Sequence, residues 1–422
     1  MISRERVKNA LNHKATDRPP IDLGATACSG IHAIELKNLR KYLGLKDIDP
    51  RVIDPMMFIA EVDEDLRQAL GIDVVGLFTK GTLLGYRNEN YKPWTLPEGT
   101  RVMMGENFQA RLGDNGNYYA YPQGDTSVPP SGRMTPTGIY FDNIIRQEDL
   151  SKKVIWDGRA DYSDQYSVLS DEDLKDLENQ ADYLYKNTDY ALVGNYWNGG
   201  IGDNLHLPGP WLKHPRGVRD LTDWMITMMD HPEYIKEFFQ MQMEITLKSL
   251  KLYYEAVGNK LEVMIHSGTD FAHQNGLSIS IDTYRELFKP YHRQVNDWIH
   301  KNTEWKTFMH TCGSIVALLP DIIDAGFDIV NPVQVSAKGM DAKILKSSFG
   351  DKIIFWGGGC DPQHTLPNGT PEEVYAEAKK NAQIFSQNGG FIGGNVHNLQ
   401  YGVPVENFVA QMNGIKDAMA GK

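Results

Sequence analysis

Short apolar runs bounded by glycine or proline recur along the chain. RPPIDLG occupies 18–24, GIDVVGL 71–77, YALVGN 190–195 and LEVMIH 261–266. WKTFMH follows at 305–310, FDIVNP at 327–332, KIIFWGGG at 352–359 and GFIGGN at 390–395. Each is apolar on successive positions, the pattern of a strand buried on both faces. Between most of them the apolar positions recur at helical spacing, as in EVDEDLRQAL, DAKILKSSFG and PEEVYAEAKKNAQIFSQNGG. Residues 3–13 read as a helix with Ser3 as its N-cap, and Pro290 is expected to kink or break the helix that starts at IDTYRELF. Eight buried strands alternating with helices predict an α/β fold, a parallel (β/α)8 TIM barrel spanning 1–422 as one domain. An open doubly wound sheet is the competing arrangement.

Residues 80–142 break the pattern. They are rich in Tyr, Gly, Asn, Pro and Thr, and DNGN at 114–117 between alternating segments is a hairpin signal. This stretch reads as a β-rich insertion in the barrel, too short and polar to bury a core alone. The hydrophobic fraction of 41% and charged fraction of 23% are those of a globular chain. A net charge of −12 argues against nucleic-acid or anionic-membrane binding, which call for a basic surface. No run reaches the length of a membrane span, and MISRERVKNALNHK lacks the apolar centre of a signal peptide. Three cysteines, Cys28, Cys312 and Cys360, are too few for a disulfide framework, so a cytoplasmic protein with reduced thiols is expected.

In such barrels chemistry gathers at the carboxyl ends of the strands. There the chain places Cys28, then Asn195, Tyr196 and Trp197, then His266, then His310-Thr311-Cys312, then Asn331 and Gln334, then Cys360, and last His397, Asn398 and Gln400. The sharpest feature is His310-x-Cys312 with Cys360 48 residues later. Imidazole and thiolate suit Zn2+, and three protein ligands leave a position open for substrate or water. Gln334 and His266 stand nearest as further ligands. The alternative is a buried core thiol beside a satisfied histidine. Gly357-Gly358-Gly359 has no P-loop Lys, so close backbone packing is favoured over phosphate binding. Asn195, Tyr196, Trp197, His266, Asn331, Gln334, His397 and Gln400 form the candidate substrate lining.

At these residues the chain resembles the uroporphyrinogen decarboxylase superfamily. The resemblance is densest at HTCGSIVALLPDIIDAGFDIVNPVQ, FGDKIIFWGGGCDPQHTLPNGTPEEV and GGFIGGNVHNLQYGVPVENF. It implies a (β/α)8 barrel. Decarboxylases of the family carry an arginine motif after the first strand, where this chain has GATACSGIH and no arginine. The other arm holds zinc- and corrinoid-dependent methyltransferases with an H-x-C and a later Cys as zinc ligands, which implies His310, Cys312 and Cys360. In the coenzyme M enzymes the last cysteine follows the final strand, whereas Cys360 lies one strand earlier. The resemblance therefore implies a Zn2+ enzyme that moves a methyl group from a small donor to the Co(I) corrinoid (cobalamin) of a separate corrinoid protein. An aryl methyl ether is the favoured donor, an O-demethylation, because a mouth without arginine has no anchor for a strongly anionic substrate. That reading holds provided Lys80, Arg87 and Arg101 of the insertion do not bring charge over the mouth. The alternatives are a methylcorrinoid:thiol methyltransferase, a metal-free decarboxylase or lyase, and a non-catalytic tetrapyrrole-binding barrel.

Overall fold

The eight apolar runs become the staves of one barrel. Seven form a continuous parallel sheet: Val74–Leu77, Ala191–Asn195, Val263–Ser267, Lys306–His310, Ile329–Asn331, Ile354–Trp356 and Phe391–Ile392, side by side in chain order. The eighth is segment 20–24, too irregular to count as a strand but bonded on both sides. Asp22 N donates to Gly393 O at 2.8 Å and Gly393 N donates to Pro20 O at 2.8 Å. On its other edge Asp73 N donates to Ile21 O at 2.9 Å. The sheet thus closes on itself, which satisfies the edge groups that an open sheet would expose. The computed structural model describes residues 1–419, with the backbone alone at Asn198.

Helices cover the outside, among them Pro232–Val257, Lys289–Asn302, Ala342–Phe349 and Pro371–Phe385. The first, Ser3–Leu11, is capped by Ile2, with Ser3 already inside the helix. Ahead of Pro290 the chain takes one π-helical turn, Tyr284–Phe288, before resuming as Lys289–Asn302. A proline supplies no N–H, so the preceding turn rearranges its hydrogen bonds. No helix among the described residues is long and apolar enough to cross a membrane.

The segment 80–142 folds as an antiparallel pair, Lys92–Thr95 with Arg101–Met104, and a four-stranded antiparallel sheet. Within the latter, DNGN joins Ala110–Leu112 to Tyr118–Ala120, with Gly116 at φ +80° in the left-handed region that glycine tolerates. This layer also recruits residues outside 80–142. Strands Ile31–His32, Val52–Asp54 and Ile59–Ala60 make a small sheet beside it, and Phe58 stacks on Trp94 at 5.6 Å. Two- and three-residue strands are too short to show alternation, which is why the pattern of the sequence passes over them.

Closure is locked below the barrel by Asp73, which is fully buried. Its carboxylate takes Arg6 Nη1 at 2.6 Å, Arg18 Nη1 at 2.7 Å and Ile21 N at 2.8 Å. One side chain therefore ties the first helix, the first stave and the second strand together. Asp73→Ala would leave the buried Arg6 facing an apolar gap. We expect it to destabilise the fold by about 3–5 kcal/mol, read from urea unfolding.

Alternation along Val263–Ser267 turns His266 outward into the helix layer. There it lies on Phe327, with Nε2 at 2.8 Å from Asn296 Oδ1. His292 packs nearby, 3.4 Å from Ser267 Oγ. Burial holds His266 at about 4 and His292 at about 3, below the ordinary 6.5. An unfolded chain takes up these protons as pH drops below 6.5, whereas the folded chain does not. Their contribution to stability is thus complete above 6.5 and is lost toward pH 4. Buried Glu262 and Asp22, raised to about 7 and about 6, act in the opposite sense. A difference measurement isolates the ring: between pH 7 and 5 the native protein should lose ~2 kcal/mol relative to His266→Gln in denaturant titrations.

Candidate metal centre at the barrel mouth

The register of the parallel strands sets the centre of the site. His310 and Asn331 are paired positions on neighbouring strands. Asn331 Oδ1 accepts from His310 Nδ1 at 2.6 Å, while Asn331 Nδ2 donates to Trp356 O at 3.0 Å. The second bond fixes the amide orientation, so the first fixes the imidazole tautomer: Nδ1 carries the proton and Nε2 keeps its lone pair. Cys312 Sγ lies 3.4 Å from that Nε2. Burial lowers His310 to about 4, so the ring is neutral at physiological pH.

Three further groups converge here. Cys28, His310 and His397 offer ligand atoms within 4.8 Å of one another, as do Asp270, His310 and Cys312. Asp270 also accepts the backbone N–H of Cys312 at 2.7 Å, which holds the H-x-C turn in place. Cys28 sits on a loop braced by short bonds. Ala25 N donates to Asp22 Oδ1 at 3.0 Å, Cys28 N to Thr26 Oγ1 at 3.2 Å and Gly30 N to Asn398 Oδ1 at 2.6 Å. Burial raises both Cys28 and Cys312 well above the ordinary thiol range, and Asp270 adds to the effect on each. His397 has a different role. Its Nδ1 accepts from Asn398 N at 2.8 Å, so in the neutral ring the proton sits on Nε2 and neither nitrogen has a free lone pair. Its ring stands edge-on to His310, centroids 5.1 Å apart.

Cys360 is not among the groups gathered around His310. It is fully buried one strand away, and its thiol donates to Gln411 Oε1 at 3.0 Å. The triplet of glycines before it serves close packing, since a Cβ at Gly359 would come within 2.7 Å of Gln411. Gln334 is also engaged elsewhere. Its Oε1 accepts from Gly313 N at 2.9 Å and its Nε2 donates to Gln274 at 2.7 Å. His266 points to the helices. Tyr196 faces Thr246 and Ser249 of the long helix Pro232–Val257. Asn195 donates across the barrel to Ala25 O at 3.0 Å, which leaves its Oδ1 open. Trp197 is half-buried with an indole N–H that has no partner among the described residues, and Gln400 is exposed.

Two residues of this centre, Cys28 and Asp270, carried no assigned role in the sequence. The available signal was position: both follow strand ends, and closure makes the first stave a neighbour of the last. Lys80, Arg87 and Arg101 of the insertion are each paired with carboxylates. Lys80 pairs with Glu89 at 3.1 Å and Asp176 at 3.0 Å, Arg87 with Asp173 at 2.6 Å, and Arg101 with Asp49 at 2.9 Å. The acidic trio Glu89, Glu172 and Asp176 is engaged by those same cations, Lys80 and Arg87.

Known proteins of similar sequence and structure place the chain. A match to the uroporphyrinogen decarboxylase (URO-D) family covers residues 214–418. A methylated-thiol–coenzyme M methyltransferase of Methanosarcina mazei is 32% identical over 145 residues. That stretch is 33% of this chain and spans about a third, 34%, of the relative's own length. A solved methyltransferase from Methanosarcina mazei superposes with a TM-score of 0.54 at 16% identity and covers 99% of both chains, a likeness of fold. The carboxyl-terminal part of the chain, residues 214–418, is thus similar to the uroporphyrinogen decarboxylase family, and the barrel as a whole has the fold of the solved methyltransferase.

Proposed function

We propose that the protein is a zinc-dependent methyltransferase that moves a methyl group between a small heteroatom-linked compound and the corrinoid of a separate protein. The observation that carries this reading is that Cys28, in one group, and Cys312, in another, each come within 4.8 Å of His310 at the mouth, with His310 Nε2 held as a lone-pair donor. The donor set fits Zn2+. Two thiolates and a neutral imidazole would compensate its charge, with Asp270 beside them and a position left for substrate. Cys28 thereby takes the place that the resemblance gives to Cys360. Bound there, zinc supplies a Lewis acid for the oxygen or sulfur that carries the methyl group.

The chain's own residues do the rest. Asn331 keeps His310 in the ligating tautomer. Asp270 holds the Cys312 turn. Burial keeps both thiols protonated until the ion displaces their protons, so binding is linked to pH. His397 presents an N–H that can donate to the substrate heteroatom.

Within this reading the donor is an aryl methyl ether, because Lys80, Arg87 and Arg101 are each paired with carboxylates and no arginine stands in the GATACSGIH stretch after the first stave. Methyl transfer to or from a thiol is the second reading. It is favoured by the similarity to a methyltransferase that acts on methylated thiols.

Zinc content decides the ligand set. Cys28→Ala, His310→Ala and Cys312→Ala should each purify with little zinc, while Cys360→Ala should keep it. Zinc lost from Cys360→Ala and retained in Cys28→Ala would restore the set that the resemblance implies. Asn331→Ala should weaken zinc binding by about 10–100-fold in chelator competition while the ligands stay present. For the activity, the protein is mixed with a reduced corrinoid protein and methoxylated aromatics or methyl thioethers. Methylation of the corrinoid, followed by its visible spectrum, is expected with ether donors. Turnover with thioethers alone would establish the thiol reading, and none with either would refute methyl transfer.

A further inference from the structure

The three most exposed large apolar side chains among the described residues are Val154 at 90%, Met229 at 81% and Ile155 at 76%. All three belong to one flank of the molecule. Helix Leu221–Asp230 buries Trp224, Thr227 and Met228. Its other face carries Leu221, Met225, Ile226 and Met229, with Met225 half-buried and the rest exposed. A surface helix ordinarily turns polar residues to that side. Segment 147–156 lies along the same helix. At the helix start Gln147 Nε2 donates to Asp223 at 2.6 Å, and its Oε1 accepts from Asp220 N at 2.9 Å. At the helix end Trp156 stacks on His231, ring centroids 3.9 Å apart. Val154 and Ile155, the two residues before Trp156, thus stand beside the last turn of the helix, which also carries Met229.

We propose that this apolar flank is the interface of a homodimer, covered by the same flank of a second copy of the chain. Leu221, Met225 and Met229 recur at a spacing of four and form a ridge along the helix. Ridges of that spacing interdigitate with their own kind, so a two-fold axis can pack this helix against its copy. The area also fits. Val154, Ile155, Leu221, Ile226 and Met229 together expose on the order of 600 Å² of side chain, at the upper end of what a monomer leaves in water. That is close to the apolar part, about 65%, of the ~800 Å² that each partner contributes to a stable dimer. None of these residues belongs to the groups around His310, so the inference stands apart from the zinc and methyl-transfer readings.

The test is sedimentation equilibrium of the full chain at concentrations up to roughly 100 μM. A reversible dimer is expected. Met229→Lys and Ile155→Asp should each weaken it by at least about 30-fold, because each places a charge inside the contact. Leu112→Lys, at a 62% exposed apolar residue of the four-stranded sheet, should leave it unchanged. Oxidation of the unsubstituted protein by hydrogen peroxide gives a second readout that needs no variant to fold. Met229 should form its sulfoxide at least about ten-fold more slowly in the dimer than after dilution to the monomer. Met1, 50% exposed, should react alike in both. A monomer at every concentration, a dimer that survives both variants, an equal loss with Leu112→Lys, or one rate of Met229 oxidation in both states would each overturn the proposal.

Discussion

Closure of the barrel is the constraint on which the rest depends. Segment 20–24 is bonded to Gly393 on one side and to Asp73 on the other. Without those bonds the seven-stranded sheet has two open edges, and the loop after the first stave has no fixed neighbour. With them, Cys28 faces His310 across the mouth and Gly30 is bonded to Asn398 of the last loop. The buried Arg6–Asp73–Arg18 cluster at the opposite end supports the same joint. Stability at the bottom and chemistry at the top are thereby two consequences of one seam.

The centre is built from groups that burial keeps neutral. Desolvation lowers His310 and His397 and raises Cys28, Cys312 and Asp270. Every one of these shifts removes charge from a water-poor site, as low dielectric demands. Such a site has soft donors in place, and among the described residues no lysine or arginine is paired with them. That is the electrostatic setting in which a divalent ion and deprotonated thiols stabilise each other. Asn331 and Asp270 add orientation, since each holds a candidate ligand in one geometry before any ion arrives.

Hydrogen bonding distinguishes polar residues that chain position alone does not. Gln334, Asn331 and Tyr196 look alike in sequence, as polar residues after strand ends. In the fold Gln334 is engaged by Gly313, Asn331 is engaged by His310 and Trp356, and Tyr196 is turned to the long helix. Asn395, Asn398 and Trp197 keep donors without partners. The difference depends on which face of a loop each residue occupies, and only folding sets that.

The sequence by itself determined the staves. All eight apolar runs lie in the barrel, because burial on both faces of a parallel sheet demands continuous apolar residues and leaves a local trace. It also showed which chemical types stand at the rim, since strand ends follow from strand positions, and it marked His310-x-Cys312 as the sharpest pair. Which cysteine lies near that pair is visible only in three dimensions. Cys360 has the more suggestive spacing, yet its strand end turns the thiol to Gln411, whereas Cys28, 282 residues before His310, arrives through closure. Direction was equally illegible for His266, which alternation sends outward to Asn296. Which of two faces a side chain takes, and which distant loop meets it, depend on register and closure. Both are properties of the whole sheet and leave no periodicity along the chain.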